Sequence, residues 1–189
     1  MESKKHVGIV GMPGAGKSTL SACGKRMGFD VIVMGDIVRE ETAKRGLKPT
    51  PQNIGRTMLN LRREEDSEVI AKKCIQQILK IKNHLIMIEG IRSLDEVEAF
   101  KRIFPLFTII AIHASPNTRF LRLFKRSRSD DPKNRKVFKT RDNRELEIGI
   151  GSVIAIADYM IVNEGSLQEF EFQIEIVLKN FLNKDKNVF

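Results

Sequence analysis

Five short apolar runs, at residues 6–10, 30–34, 84–88, 107–112 and 159–162, alternate with longer segments of helical character. This alternation constrains the fold more than any other feature of the chain. Strands that each hand over to a helix are joined by crossovers, so they lie parallel in one sheet with helices on both faces. The run at 84–88 is unbroken by charge, as expected of a central strand buried on both sides. The reading is an α/β fold: a five-stranded parallel sheet flanked by helices, in one domain over residues 1–189. Two insertions are expected in it, at residues 37–65 and 127–145.

The intervening segments predict helices at 19–27, 37–44, 52–63, 65–82, 94–103 and 148–157, with another opening at Pro116. Val97, Phe100 and Phe104 share one helical face and are core candidates. The last helix repeats Phe170, Ile174, Val177 and Phe181 at core spacing before a polar tail. Pro132 and Asn134 mark the stretch between the helices around 127–145 as a loop.

Composition sets the class. Apolar residues make up 41% and charged residues 30% of 189, a globular balance. No apolar run approaches the roughly 18 residues of a membrane span. Met1-Glu2-Ser3-Lys4-Lys5 leads directly into the first strand without a signal pattern. Cys23 and Cys74 are far apart, each among apolar neighbours, which favours buried thiols over a disulfide. A cytoplasmic protein with no membrane contact follows as the expectation. His6, His84 and His113 have no metal-ligand spacing and read as structural or exposed imidazoles.

The first strand ends in Gly11-Met12-Pro13-Gly14-Ala15-Gly16-Lys17-Ser18, which fits G-x-x-x-x-G-K-[ST] with a strand before it and a helix after it. Glycines let such a loop curl until successive N–H groups point at phosphate oxygens. The helix that follows aims its N-terminal dipole at the same anion. Lys17 can reach the β- and γ-phosphates, and the Ser18 hydroxyl can ligate Mg²⁺. The segment from Gly11 to Ser18, with Thr19, is therefore the expected ATP-binding element, and ATP and Mg²⁺ are the expected cofactors.

In a doubly wound sheet, ligands gather at the carboxyl ends of the strands. Strand two is followed by Gly35-Asp36-Ile37-Val38-Arg39, and strand three by Glu89-Gly90-Ile91-Arg92. Each delivers an acid and a base to the rim that carries the phosphate loop. Lys and Arg total 33 against 24 Asp and Glu, a net +9, which favours anionic partners. Residues 119–144 are the most basic stretch, with Arg119, Arg122, Arg126, Arg128, Arg141 and Arg144 among its cations and Asp130, Asp131 and Asp142 interspersed.

Gly35-Asp36-Ile37-Val38-Arg39 resembles the Gly-Asp-x-x-Arg motif of adenylate kinases, and Glu89-Gly90-Ile91-Arg92 is similar to their Asp-Gly-Phe-Pro-Arg segment. The resemblance implies that Arg39 and Arg92 clamp an acceptor phosphate beside Asp36, and that Glu89 helps hold Mg²⁺. It departs from the family at Glu89, where adenylate kinases carry aspartate. The basic stretch is similar in place to their lid, which implies catalytic roles for Arg126, Arg141 and Arg144, with Arg122 and Arg128 as substitutes. Ala157-Asp158-Tyr159-Met160-Ile161-Val162-Asn163-Glu164-Gly165-Ser166 resembles the corresponding segment of dephospho-coenzyme A kinases, which implies that Asn163 lies near the ATP adenine; capping of the last helix is the competing role. The combination also resembles an archaeal group of adenylate-kinase-related proteins of unsettled substrate.

The resemblance implies a P-loop kinase of the nucleoside monophosphate kinase type, moving the γ-phosphoryl of Mg·ATP to a small phosphorylated acceptor such as AMP. The partner expected is thus a small-molecule nucleotide. Phosphorylation of a hydroxyl, as in dephospho-coenzyme A, is the nearest alternative. A regulatory protein with slow ATPase activity that engages RNA is another. The +9 charge favours it, while the 6% aromatic content and the lack of an RNA-binding module signature oppose it.

Overall fold

The protein is described from a computed structural model, which covers residues 4–128 and 131–183. In chain order the first half comprises β1 (Lys5–Val10), α1 (Lys17–Arg26), β2 (Asp30–Val33), α2 (Met34–Lys44), α3 (Pro51–Glu64), α4 (Val69–Ile78) and β3 (Leu85–Glu89). There follow α5 (Leu94–Ile103), β4 (Thr108–His113), α6 (Pro116–Arg126), α7 (Arg135–Ile148), α8 (Ile150–Ala155), β5 (Tyr159–Val162) and α9 (Leu167–Asn183).

The five strands form one sheet in the order β2-β3-β1-β4-β5, every pairing parallel. The chain leaves β1 toward one edge, and after β3 it crosses to the other side. The carboxyl ends of β1 and β3 therefore border the crevice where such sheets take their ligands. Alternation along the strands feeds two cores. Val7, Ile9, Met87, Ile110 and Ile112 pack with α1 and α9 on one face; Val10, Ile86, Ile88, Ile109 and Ala111 pack with α2–α5 and α8 on the other.

Local chemistry explains several helix starts. Thr50, Ser93, Ser115 and Asn134 each accept a backbone N–H from the first turn of the helix they precede. Pro51 and Pro116 occupy early positions where a missing N–H costs nothing.

The structure departs from the sequence reading in five places. Met34, expected to end strand two, opens α2, so Gly35 and Asp36 lie in a helical turn instead of a loop. The helix expected over 65–82 spans Val69–Ile78, because Asp66 closes a turn by accepting the N–H of Glu68 at 2.8 Å. The stretch around 127–145, expected as a loop, is largely the helix α7, with Asn134 as its N-cap. The helix expected over 148–157 is the shorter α8, because Gly149 in the left-handed region (φ +111°) separates it from α7. On α9 the buried set is Phe170, Ile174, Leu178 and Phe181, with Leu178 in the place expected for Val177. The polar tail at 184–189, Met1 to Ser3 and Asp130 lie outside the described residues.

Val97, Phe100 and Phe104 are buried on the face expected of them. Cys23 and Cys74 are buried free thiols. His6 stacks on Phe104 at 3.8 Å, and burial, aided by Lys4, lowers its pKa to about 4; His84 and His113 are exposed. Among the described residues no helix is long and apolar enough to cross a membrane.

Candidate active site

The link between β1 and α1 is a tight loop made possible by Gly14 and Gly16 at φ +83° and +118°. A Cβ at Gly16 would come within 2.5 Å of Asn163 Nδ2 and 2.9 Å of the Phe170 ring, so neither conformation nor space admits a side chain. Gly16 is also the N-cap of α1, and no side chain caps that end. The first N–H groups of α1 are thereby left for an anion. Lys17 Nζ donates to the carbonyls of Gly11 (2.6 Å) and Met12 (3.3 Å). Burial, with Arg92 and Arg141 nearby, lowers the Lys17 pKa to about 8; Glu89 and Glu145 act against that shift.

Two buried side chains brace the loop from behind. Arg119, from α6, donates to the Pro13 carbonyl (3.2 Å) and to the Ala114 carbonyl (3.1 Å), and grips Asp142 of α7 with both ends of its fork at 2.8 and 2.6 Å. Asn163, just after β5, donates from Nδ2 to the Ala15 carbonyl at 2.8 Å, while its Oδ1 accepts from Arg122 at 3.1 Å.

The loop forms the floor of a cavity of about 250 Å³ at the carboxyl rim. Its walls carry seven cationic side chains, Lys17, Arg39, Arg92, Arg122, Arg126, Arg128 and Arg141, against two carboxylates, Glu89 and Glu145. Such a surplus in a small cleft is suited to a polyphosphate. Arg92 is anchored at three points: its Nε donates to Glu145 Oε2 (2.9 Å), its Nη1 to the Gly90 carbonyl (2.7 Å), and its backbone N–H to Glu96 Oε2 (2.7 Å). Burial alone would lower the Arg92 pKa, but Glu145, Glu96 and Glu89 outweigh it and raise it. Glu145 shows the mirror image: burial favours its neutral form, yet Arg92, Arg141, Arg144 and Lys17 hold the carboxyl below its ordinary range.

The residues expected at the site are distributed unevenly. Gly11, Pro13, Gly14, Gly16, Lys17, Ser18, Thr19, Glu89, Arg39, Arg92, Arg126 and Arg141 all line the cavity, as do Arg122 and Arg128. Met12 and Ala15 are not lining residues; their side chains pack into the two cores. Three more of the expected residues do not line the cavity. Asp36 is not a lining residue; its exposed carboxylate pairs with Arg39 at 2.5 Å. Arg144 is not a lining residue either, because its guanidinium lies against Gly55 of α3 and 3.9 Å from Glu145. Asn163 spends both ends of its amide on the loop and on Arg122, so it acts as a brace of the phosphate loop.

Arg119, Glu96 and Glu145 were not singled out as site residues by the sequence. A signal for Glu145 existed: on a helix it stands four residues after Arg141 and would share its face. It was hidden by reading the stretch as a basic loop.

The hard-oxygen chemistry for a divalent cation is present in Ser18 and Glu89, both on the cavity wall. Glu89 Oε2 accepts the Ser21 hydroxyl at 2.6 Å, which orients it. Among the described residues no group of three or more His, Cys, Asp or Glu side chains could cage a metal. Mg²⁺ in general is held by one or two protein oxygens together with substrate phosphates.

Known proteins place this architecture. The family described as "AAA domain" matches residues 10–139. Among solved structures, TT1252 from Thermus thermophilus superposes with a TM-score of 0.68 at 17% identity, covering 95% of this chain and 98% of that one. A gluconokinase from Sinorhizobium meliloti superposes with a TM-score of 0.58 at 13% identity, covering 97% and 99%. These likenesses establish a P-loop kinase-like fold. In sequence, the UPF0200 protein of Hyperthermus butylicus is 47% identical over 170 residues, 90% of this chain and 91% of that protein. The UPF0200 protein of Methanocaldococcus jannaschii is 48% identical over 180 residues, 94% and 90% of the two chains. A chain that matches these proteins over nearly its whole length belongs to the UPF0200 family.

Proposed function

We propose that the protein is an ATP-dependent phosphotransferase of the nucleoside monophosphate kinase type, acting on a small phosphorylated acceptor such as AMP. One observation carries the reading. Beyond the phosphate loop, Arg39 and Arg92 follow two other strands and line the same cleft as Lys17, together with Arg126 and Arg141. A donor triphosphate alone does not call for so many guanidinium groups in one cleft, whereas donor and acceptor phosphates together do.

In this reading the loop N–H groups and Lys17 hold the donor, and Arg39 and Arg92 hold the acceptor phosphate. Arg126 and Arg141 neutralise charge that builds on the phosphoryl group in transfer. Ser18 and Glu89 would hold Mg²⁺, which supplies charge neutralisation on the donor phosphates. Catalysis comes from alignment and electrostatics, with no covalent intermediate on the protein. The segments around 37–65 and 127–145 serve as acceptor-binding and lid insertions. The exposed Asp36–Arg39 pair supports a phosphate acceptor over a hydroxyl acceptor, because a phosphate needs no base and Asp36 is free to orient Arg39.

The test is a transfer screen with labelled ATP across nucleoside monophosphates and dephospho-coenzyme A, with Lys17→Ala as control. Transfer to a nucleoside monophosphate that Lys17→Ala abolishes is the expected result. Transfer confined to dephospho-coenzyme A selects the hydroxyl alternative. Salt-sensitive RNA binding with no transfer to any small molecule refutes the reading.

A further inference from the structure

Arg92 enters the cleft with three of its six N–H donors already committed. Its backbone N–H is held by Glu96, Nη1 by the Gly90 carbonyl and Nε by Glu145. Nη2 is the guanidinium nitrogen with no protein hydrogen bond among the described residues, and the side chain lines the cavity. The two acids come from different parts of the fold. Glu96, fully buried at the start of α5, also takes Arg62 Nη2 of α3 at 2.5 Å. Glu145 is 4% exposed and comes from α7. Arg92 is thus held from two helices, α5 and α7, with one edge of its guanidinium unspent.

We propose that Glu145 is a positioning residue for the acceptor: it holds Arg92 through Nε so that the Nη2 edge meets an anionic oxygen of the acceptor phosphate. This rests on the phosphotransfer reading of the cleft. A different role would have the opposite sign. If Glu145 only offset the surplus of positive charge, neutralising it would tighten the binding of every anion, donor and acceptor alike. If it aims Arg92, neutralising it weakens the acceptor selectively, because a guanidinium held by a weaker, neutral acceptor loses part of the preorganisation that makes its fork effective.

Glu145→Gln is the variant of choice, since it keeps an oxygen to accept from Nε while removing the charge. With AMP as acceptor and Mg·ATP as donor, the KM for AMP should rise about tenfold, with the KM for Mg·ATP within about twofold and kcat within about threefold. In an Arg92→Lys background the same substitution should have little further effect, because the residue it acts through has been changed. A second readout needs no turnover. Modification of Arg92 by phenylglyoxal, mapped by peptide mass spectrometry, should be at least about fivefold faster in Glu145→Gln than in the wild type, because the guanidinium has lost an ionic partner.

The proposal is overturned by unchanged Arg92 reactivity, by a lower KM for AMP, by equal rises in both KM values, by a fall in kcat alone, or by full additivity with Arg92→Lys. Should Glu145→Gln not fold, Glu145→Asp keeps the charge but withdraws it by one methylene, and the same rise in Arg92 reactivity is expected. A wild type that transfers to no acceptor refutes the functional reading, while the reactivity measurement still decides whether Glu145 holds Arg92.

Discussion

Lys17 offers the sharpest quantitative test, because its ammonium is part-buried and near two guanidinium groups. Burial together with Arg92 and Arg141 brings its pKa to about 8 from an ordinary 10.5. A phosphate-binding lysine works as a cation, so nucleotide should bind the protonated form. With a pKa near 8, about ten-elevenths of the molecules carry the charge at pH 7 and about one-eleventh at pH 9. Affinity for Mg·ATP should therefore fall by about tenfold over those two units, a loss near 1.4 kcal/mol, steepest above pH 8. The bound triphosphate raises the lysine pKa again, so binding at pH 8–9 must take up a proton. Isothermal titration calorimetry in two buffers of different ionisation enthalpy measures both quantities at once. Lys17→Arg, charged throughout this range, should bind more weakly at pH 7 but with a flat profile. A wild-type Kd that is constant from pH 7 to 9, with no proton uptake, would refute the electrostatic account of this cleft.

Other perturbations address the loop, the acceptor and the core. Gly16→Ala sets a methyl group 2.5 Å from Asn163 Nδ2 in a backbone conformation strained by about 1–3 kcal/mol, so Mg·ATP affinity should drop at least about tenfold with a fall in Tm of several degrees; wild-type values for both would contradict the bracing described above. For Asp36→Asn, a loss in kcat of about tenfold or less is expected if Asp36 merely orients Arg39, whereas a loss of about 10²–10⁴ would mark a general base and a hydroxyl acceptor. His6 takes up its proton only near pH 4 when folded but near 6.5 when unfolded, so the unfolded chain binds more protons between those values and stability rises with pH there. The His6 contribution lost between pH 6.5 and 4 is at most about 3 kcal/mol, so in denaturant titrations the wild type should lose more stability over that range than His6→Phe, still stacked on Phe104, by up to that amount.

The sheet was legible because its strands are apolar runs in a charged chain, and the phosphate loop because its chemistry is local: eight consecutive residues state both the turn and the ligand. The start of α2 was not legible, since its N-cap is Val33, which offers no side-chain oxygen to mark the boundary. The helix α7 was invisible for a more general reason. Only Phe138 and Glu145 are buried on it, so it has almost no apolar stripe and no hydrophobic period to read. Periodicity reports helices that are seated by apolar contact; this one is seated by ion pairs. The braces Arg119 and Asn163 were missed in that role because their partners, Pro13, Ala15 and Asp142, come from distant parts of the chain.

That mode of seating bears on how the cleft is assembled. Asp142 and Glu145 stand three residues apart on α7 and each takes an arginine, Asp142 the buried Arg119 that supports the phosphate loop and Glu145 the half-buried Arg92 of the proposed acceptor site. One helix is thereby fastened to both halves of the cleft through charges that are costly to leave unpaired away from water. A greasy contact would tolerate sliding by a fraction of a turn, but a two-pronged ion pair and a single Nε–carboxylate bond do not, since each fixes a direction as well as a distance. The net charge of +9 describes what this protein attracts. The few acids embedded in its most basic segment determine where those positive charges point, and a phosphate placed between them meets an arrangement that has already been set.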